Sequence, residues 1–498
     1  MNHSAQIPDP SSDTTVTAGE YRLENTSGGG FRIPAEGDVR VPVELYLSQE
    51  WLPQSADLAK LARIAATPGL SGHLDVLPDL HFKAKNFVPT GVAIRLANAV
   101  CPMFVGPPND SMMIARTGID ESAIDGDALD EIFAKVMQRI AMFRRTSPVI
   151  DEHELWPILR FGGTAICDEW GFTGEDLAQM DNGAQAFPAS APPDIADIHS
   201  AFPGEAHRPG RLPDFVPWHD LVAAGRHCLG VLDGGGHFLE LSAVNEIMNP
   251  VHAEAYGLKP GEVCVALHAG SADVGLIAHK YYLRAHDSEI NVLPADSEQG
   301  SAFRLAMGVA TNFAYANRLY IMAQMRETLH EVIGGRGVAR EGFRIFSDAP
   351  HDMMDEFHGP EGKLFVHRKG VVQGIPGAAY TNDHPYAKSG RPFFFPTALG
   401  ESAYIMTRAE GDPDAFLCCS HGVGRSMSRE QALAAFDDDS VVQQIRVRNV
   451  RLYRYGHSAF SAQAPAAHKD TSIVMDQLER FGLASPVARL KPLASLKA

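Results

Sequence analysis

An α+β fold is predicted by three features of the sequence. Several short apolar runs end in a histidine followed by a small residue or a turn, the way strands deliver side chains to a shared edge. Two longer stretches, residues 129–143 and 302–333, repeat apolar residues at helical spacing. Hydrophobic content of 45% with 21% charged residues is that of an ordinary globular enzyme. At 498 residues the length alone allows several domains or one large, much-inserted one.

Composition also excludes some classes. No apolar run reaches the roughly 18 residues of a membrane-spanning helix. Met1-Asn-His-Ser-Ala-Gln lacks the basic flank and apolar core of a secretory signal. The cysteines Cys101, Cys167, Cys228, Cys264, Cys418 and Cys419 show no CxxC spacing, and most lie in apolar runs. Reduced, buried thiols in a cytoplasmic protein are expected. The net charge of −18 argues against nonspecific nucleic-acid binding over the whole surface, but not against a local basic groove.

Taken in order, residues 1–37 are polar, rich in Ser, Thr and Gly, and expected to be a flexible leader before the folded body of 38–498. Val41, Val43, Leu45 and Leu47 alternate, which predicts a strand, and residues 56–66 follow as a short amphipathic helix. Asp79, His81, Lys83 and Lys85 occupy alternate positions, so an extended chain points all four the same way, as a site or as a structural face. Val105-Gly-Pro-Pro-Asn-Asp-Ser111 is a loop between two buried pieces. Leu129, Ile132, Val136, Ile140 and Phe143 predict one helix. The Pro- and Ala-rich residues 180–215 read as an irregular insertion.

The second half is richer in strands. A glycine loop at residues 229–236 feeds a strand carrying His237 and Glu240, which need a bulge or bend to serve one site. Val263-Cys-Val-Ala-Leu-His-Ala-Gly-Ser271 is a strand ending at His268. In the helix over 302–333, Asn312, Tyr315 and Arg318 face a neighbouring strand or pocket. Residues 345–351, 364–370, 393–404 and 416–420 read as further strands, the second with two basic residues at its turn. A helix near 473–481 and an extended tail close the chain.

The sharpest chemistry lies in Phe416-Leu-Cys-Cys-Ser-His-Gly-Val-Gly-Arg-Ser-Met-Ser-Arg429. A neutral imidazole at His421 can attack phosphorus, and Arg425 and Arg429 can neutralise phosphate charge. Gly422 and Gly424 let backbone N–H groups approach an anion. The plainer alternative is a strand, a tight turn and a solvated basic helix start. A lone histidine at a strand end is usually a core residue, but His237, His268, His351 and His421 repeat the pattern. Imidazoles with one or two carboxylates suit Zn, Mn or Fe.

Taken together, these segments resemble the RtcB-type RNA-splicing ligases over roughly residues 38–498. Pro78-Asp-Leu-His81 is similar to the family's Pro-Asp-Val-His, and residues 230–240 to its glycine loop ending in Asn-His-Phe-(Ile/Leu)-Glu. Leu267-His-Ala-Gly-Ser271, residues 312–318, Val366-His-Arg-Lys-Gly370, Ser420-His-Gly-Val-Gly-Arg425 and Val487-Ala-Arg-Leu-Lys-Pro-Leu493 follow in the family's order. The resemblance implies one large α+β domain with several mixed or antiparallel sheets flanked by helices. It implies joining of an RNA 3′-phosphate or 2′,3′-cyclic phosphate end to a 5′-hydroxyl end, with GTP and Mn²⁺. It further implies His421 as the guanylate-accepting nucleophile and Asp110, His237, His268 and His351 as metal ligands. Phe238, Glu240, Arg425, His468 and Lys497 fall where the family holds the nucleotide, with His468 in place of a stacking tyrosine. The implied partners are tRNA-like or broken RNA ends, GTP and an activating protein, with no membrane.

The departures concern the metal. The family's Asp-x-x-Cys supplies a cysteine that bridges two ions. An ungapped reading puts Ser111 at the cysteine and Pro108 at the aspartate, while a reading slipped by two keeps Asp110 and puts Met113 at the cysteine. Neither supplies a thiolate, and neutral donors bridge dications poorly. Gly236, Asp352 and Ala272 replace a family asparagine, asparagine and arginine, and the family's Gly-Ser-Met-Gly-Thr is Thr397-Ala-Leu-Gly-Glu401. The alternatives to a ligase are a paralogue that binds RNA ends, nucleotide or a partner without ligating, and a metal-dependent phosphoesterase.

Overall fold

The computed structural model describes residues 16–18, 21–26, 28–83, 87–202, 217–285, 290–334, 342–360, 362–409, 417–456 and 458–497. The first strands are β1 (Val16–Ala18), β2 (Tyr21–Asn25), β3 (Phe31–Ile33), β4 (Val43–Leu45), β5 (Leu74–His81) and β6 (Thr90–Ala97). Then come β7 (Ala99–Val100), β8 (Asp110–Asp120), β9 (Phe238–Ile247), β10 (Glu262–Ala269), β11 (Leu293–Pro294), β12 (Arg344–Gly359) and β13 (Gly362–Lys369). The last are β14 (Val371–Gln373), β15 (Phe393–Phe395), β16 (Ala403–Arg408), β17 (Cys418–Ser420), β18 (Arg451–Arg454) and β19 (Ala484–Lys497). One mixed sheet runs β1-β2-β3-β4-β5-β6-β13-β12-β8-β10-β9-β19-β16-β15, with β18 beside β19. Two small sheets, β7 with β11 and β14 with β17, and flanking helices complete the expected α+β architecture.

The order of strands in the middle of the sheet gathers the site. Asp352 of β12 lies opposite Asp110 of β8. Met112 of β8 lies opposite His268 of β10, His268 opposite Phe238 of β9, and Phe238 opposite Lys497 of β19. Residues directly opposite in a ladder project to the same face, so distant segments present their side chains in one row.

The helix Glu298–Ile333 packs beneath that row, its Phe303, Ala310 and Phe313 buried with Ala115, Val265 and Leu267 of the sheet. Its polar residues point inward as anchors. Arg318, fully buried, donates to Asn109 O at 2.8 Å and to Asp348 Oδ2 at 2.8 Å. Asn317 Nδ2 donates to Val231 O and Gly270 O, both at 2.9 Å. The anchored carbonyls belong to the loops that enter β8, precede β9 and leave β10. Tyr315 OH donates to Asp181 Oδ2 at 2.9 Å, and Asn312 Nδ2 to Leu159 O at 3.0 Å. The predicted polar face thus holds the scaffold together rather than lining the catalytic cavity.

Several expectations are corrected. The leader 1–37 is not wholly flexible: β2 and β3 pair, β3 pairs with β4, and Leu23, Phe31 and Ile33 are buried against Val43 and Leu45. Short apolar triplets within a polar stretch sufficed to recruit it to the sheet edge. The helix expected over 129–143 is Gly126–Arg139, because Ala141 leaves it to form a parallel bridge with Val231. Phe143 is consequently exposed. The described part of 180–215 holds a 3-10 turn, Asp181–Ala184, and a short helix, Ile195–Ser200, and is packed into the core: Ala184, Ile198 and Phe202 are buried, and Asp181 accepts from Arg391 at 2.6 Å. Arg368 does not lie at a surface turn but is buried between Asp355 and Cys418. The closing tail is β19, a long interior strand. Lys85 and Phe416 lie outside the described residues.

Candidate active site

A cavity of about 920 Å³ opens over the row of strand ends, and every residue expected from the sequence to act as nucleophile, nucleotide contact or metal ligand lines it, except Glu240. At its centre His421 follows the short strand β17, and the chain turns at once through Gly422 and Gly424. Gly424 has φ of +74°, and a Cβ there would meet Asp79 O at 2.4 Å, so glycine alone lets the turn close against β5. This approach places His421 Nδ1 at 2.5 Å and its backbone N–H at 3.3 Å from Asp79 Oδ2. Asp79 is fully buried, so its charge is little screened. A carboxylate accepting from Nδ1–H leaves Nε2 of a neutral ring as a bare lone pair. On one side His351 stacks on His421 with centroids 4.9 Å apart, and on the other His81 lies at 6.4 Å.

Beyond His351 the candidate metal ligands stand in two pairs. His268 Nε2 and His351 Nε2 face each other at 3.2 Å, while the buried Nδ1 of His351 has no partner. His237 Nδ1 donates to Leu232 O at 2.8 Å, turning Nε2 towards Asp110 Oδ2 at 3.6 Å. Burial and the neighbouring His237 and His351 hold His268 well below the usual imidazole range, and burial with His421 pushes His351 down to about 3. His237 resists its own burial: the Asp110 carboxylate raises it above the ordinary value. One proton on either of the two facing nitrogens makes an N–H···N hydrogen bond, and a divalent metal, which suits imidazole and carboxylate donors, would take both lone pairs instead. Among the described residues no three His, Cys, Asp or Glu side chains converge as a ready-made ion cage. Asp110 and Met112 line the cavity. Ser111 turns away to donate to Asp348 at 2.5 Å, and Met113 is buried in the core. The donor set present therefore fits a metal held by histidine and carboxylate, without a bridging thiolate.

The far side of the cavity is apolar and basic. Lys497 Nζ lies 4.2 Å from the Phe238 ring centroid, and Phe238 packs edge-on to His268. Glu240, beneath, accepts from Ser242 at 2.7 Å, and burial raises its carboxyl against the pull of Lys497. Burial pushes Lys497 down to about 8 despite Glu240. His237 precedes β9 and lines the cavity, whereas Glu240, inside the strand, does not. Arg425 is held by Met427 O at 2.9 Å, Ala462 O at 2.8 Å and Gln463 Oε1 at 3.1 Å, and it meets His468 Nε2 at 3.4 Å. Burial and Arg425 keep His468 neutral, down to about 4.

Sequence reasoning did not assign Asp79 to His421, although Asp79 stood out on its alternating face. It also missed the buried Asp352–Lys369 pair, in which Asp352 further accepts from Gly370 N at 2.6 Å. The only signal was Asp352 itself, at a position where the resembling family has asparagine.

The family model for tRNA-splicing ligase RtcB matches residues 60–498. The chain belongs to the RtcB family. It is 27% identical to the tRNA-splicing ligase RtcB of Thermococcus kodakarensis, over 92% of this chain and 95% of that one. The Nanoarchaeum equitans protein of the same name is also 27% identical, over 94% and 97%. The RNA-splicing ligase RtcB of Mycobacterium tuberculosis is 29% identical over 54% of this chain and 64% of its own. Family membership accounts for the ordered histidine motifs and for the large mixed sheet. Among the described residues no cysteine lines the cavity. Among the described residues no helix is long and apolar enough to cross a membrane.

Proposed function

We propose that this protein is an RNA ligase that joins 3′-phosphate or 2′,3′-cyclic phosphate ends to 5′-hydroxyl ends, consuming GTP through a guanylate carried on His421. The observation that carries the proposal is the His421–Asp79 pair, with His421 in a cavity that Arg425, Arg429 and Lys497 also line. The names of the relatives support the reaction class.

His421 Nε2 attacks the α-phosphorus of GTP; the Nε2–P bond forms, the P–O bond to the β-phosphate breaks, and pyrophosphate leaves. Asp79 keeps the proton on Nδ1 and stabilises the positive charge that spreads over the ring. An oxygen of the RNA 3′-phosphate then displaces His421 and takes the guanylate; a cyclic phosphate is first opened by water. Finally the 5′-hydroxyl attacks the activated 3′-phosphorus, loses its proton and expels GMP. Phe238 and His468 offer faces to the guanine. Lys497 and Arg425 place positive charge beside the phosphate, and Arg425 also fixes the segment that carries His468. A divalent metal, Mn²⁺ by family resemblance, would be held by Asp110, His237, His268 and His351, and would neutralise charge on the phosphates.

Ser111, turned away from the cavity, favours a second reading, a paralogue that binds nucleotide or RNA ends without joining them. A joining assay separates the two. RNA bearing a 2′,3′-cyclic phosphate and a 5′-hydroxyl is incubated with protein, GTP and Mn²⁺. Joined product that requires GTP is expected. Nucleotide binding without product, with any divalent metal, establishes the second reading.

A further inference from the structure

Lys83 is a cation of the cavity that the roles above leave unused. It lies two residues beyond β5, is exposed to solvent, and lines the cavity with Asp110, His351, Asp352 and His421. Several other cations in or beside the cavity are engaged. Asp352 pairs with Lys369, Lys469 donates to Pro78 O at 2.7 Å and lies over the Trp51 ring, and Arg429 donates to Gly235 O. Among the described residues Lys83 has neither a hydrogen bond nor an ion pair. Its electrostatic surroundings include two further cations, Lys369 and Arg429, against the carboxylates of Asp352 and Asp110. A lysine with no partner of its own among the described residues, in a concave site where two cations offset two carboxylates, is open to an anion.

Sheet order says which part of a nucleotide that anion is. Phe238 and Lys497, on β9 and β19, mark one end of the row, and Asp352 and Lys369, on β12 and β13, the other. From β9 to β12 is three strand spacings, about 14 Å. A nucleoside triphosphate bridges that span with its base on Phe238, its α-phosphorus at His421 and its outer phosphates towards Lys83. The geometry points to Lys83 as the residue that holds the β- and γ-phosphates and then the departing pyrophosphate, supplying charge that a thiolate-bridged second metal would otherwise provide. This inference rests on the ligase reading and deepens it.

The test uses the full chain, stripped of metal with chelator, and titrates it calorimetrically with inorganic pyrophosphate, GTP and GMP. Lys83→Ala is expected to weaken pyrophosphate and GTP at least tenfold and GMP less than twofold, with Lys83→Arg restoring most of the loss. Elemental analysis of protein loaded with Mn²⁺ is expected to give one equivalent per chain. Unchanged pyrophosphate affinity, an equal loss for GMP, or wild type that binds no pyrophosphate overturns the inference, as do two metal equivalents. The binding arms need no turnover and are repeated in His421→Ala. Lys83-dependent binding in a protein that never joins RNA sinks the ligase reading alone, and joining with Lys83-independent binding sinks this inference alone.

Discussion

His421 and the imidazoles beside it share one cavity but are held in different ways. Asp79 Oδ2 accepts from both Nδ1 and the backbone of His421, so ring orientation and tautomer are set by the protein alone. In the neighbouring cluster, by contrast, His268 and His351 point nitrogen at nitrogen, and His237 points its free nitrogen at Asp110. The nucleophile is oriented before any ligand arrives, whereas the donor cluster keeps nitrogens and a carboxylate that a cation would draw together. The departures noted from the resembling family's pattern fall at the second kind of site and leave His421 and its turn in place.

The comparison breaks most directly at Asp79. Asp79→Asn lets the side-chain amide donate to Nδ1, which puts the ring proton on Nε2. The rate of guanylate transfer to the protein, measured in single turnover, is expected to fall about 10³-fold with little change in GTP affinity. Next is the scaffold under both regions. Arg318→Met leaves Asp348 buried without its cation, so urea denaturation is expected to show a loss of about 3–5 kcal/mol. For the donor cluster, His351→Gln is expected to lower Mn²⁺ affinity by at least tenfold in equilibrium dialysis while leaving the near-UV spectrum unchanged. The smallest effect is pH-dependent. Burial pushes Lys497 down to about 8, and a bound phosphate raises it again. The complex then holds more protons than the free protein above that pH, so GTP affinity falls as pH rises through 8, by up to about tenfold per unit. Lys497→Arg should lessen the slope of that profile.

Much of this site was legible because its residues lie at strand ends beside glycine turns, where a short sequence window reveals them. His237, His268, His351 and His421 were found that way, and the long helix was found by its period. The rest depended on contacts no window contains. Asp79 meets His421 across 342 residues, and Arg318 meets Asn109 across 209. The tail read only as an extended segment, and its Pro486 and Pro492 are residues that disfavour an interior strand. Register shifts, one between Pro492 and Ala494, let β19 pair with β9 and deliver Lys497 to Phe238. In the loop before β8, two registers were open in the sequence; only the ladder decides that Asp110, and neither Ser111 nor Met113, faces the cavity.

The central claim is that His421 is a preformed nucleophile for phosphorus. Its most direct test is to incubate the protein with α-labelled GTP and Mn²⁺ and examine the bond that holds the label. The account predicts an acid-labile, alkali-stable adduct on the peptide containing His421, absent from His421→Ala. Label that persists in His421→Ala, or wild type left unlabelled with every divalent metal tried, would contradict it.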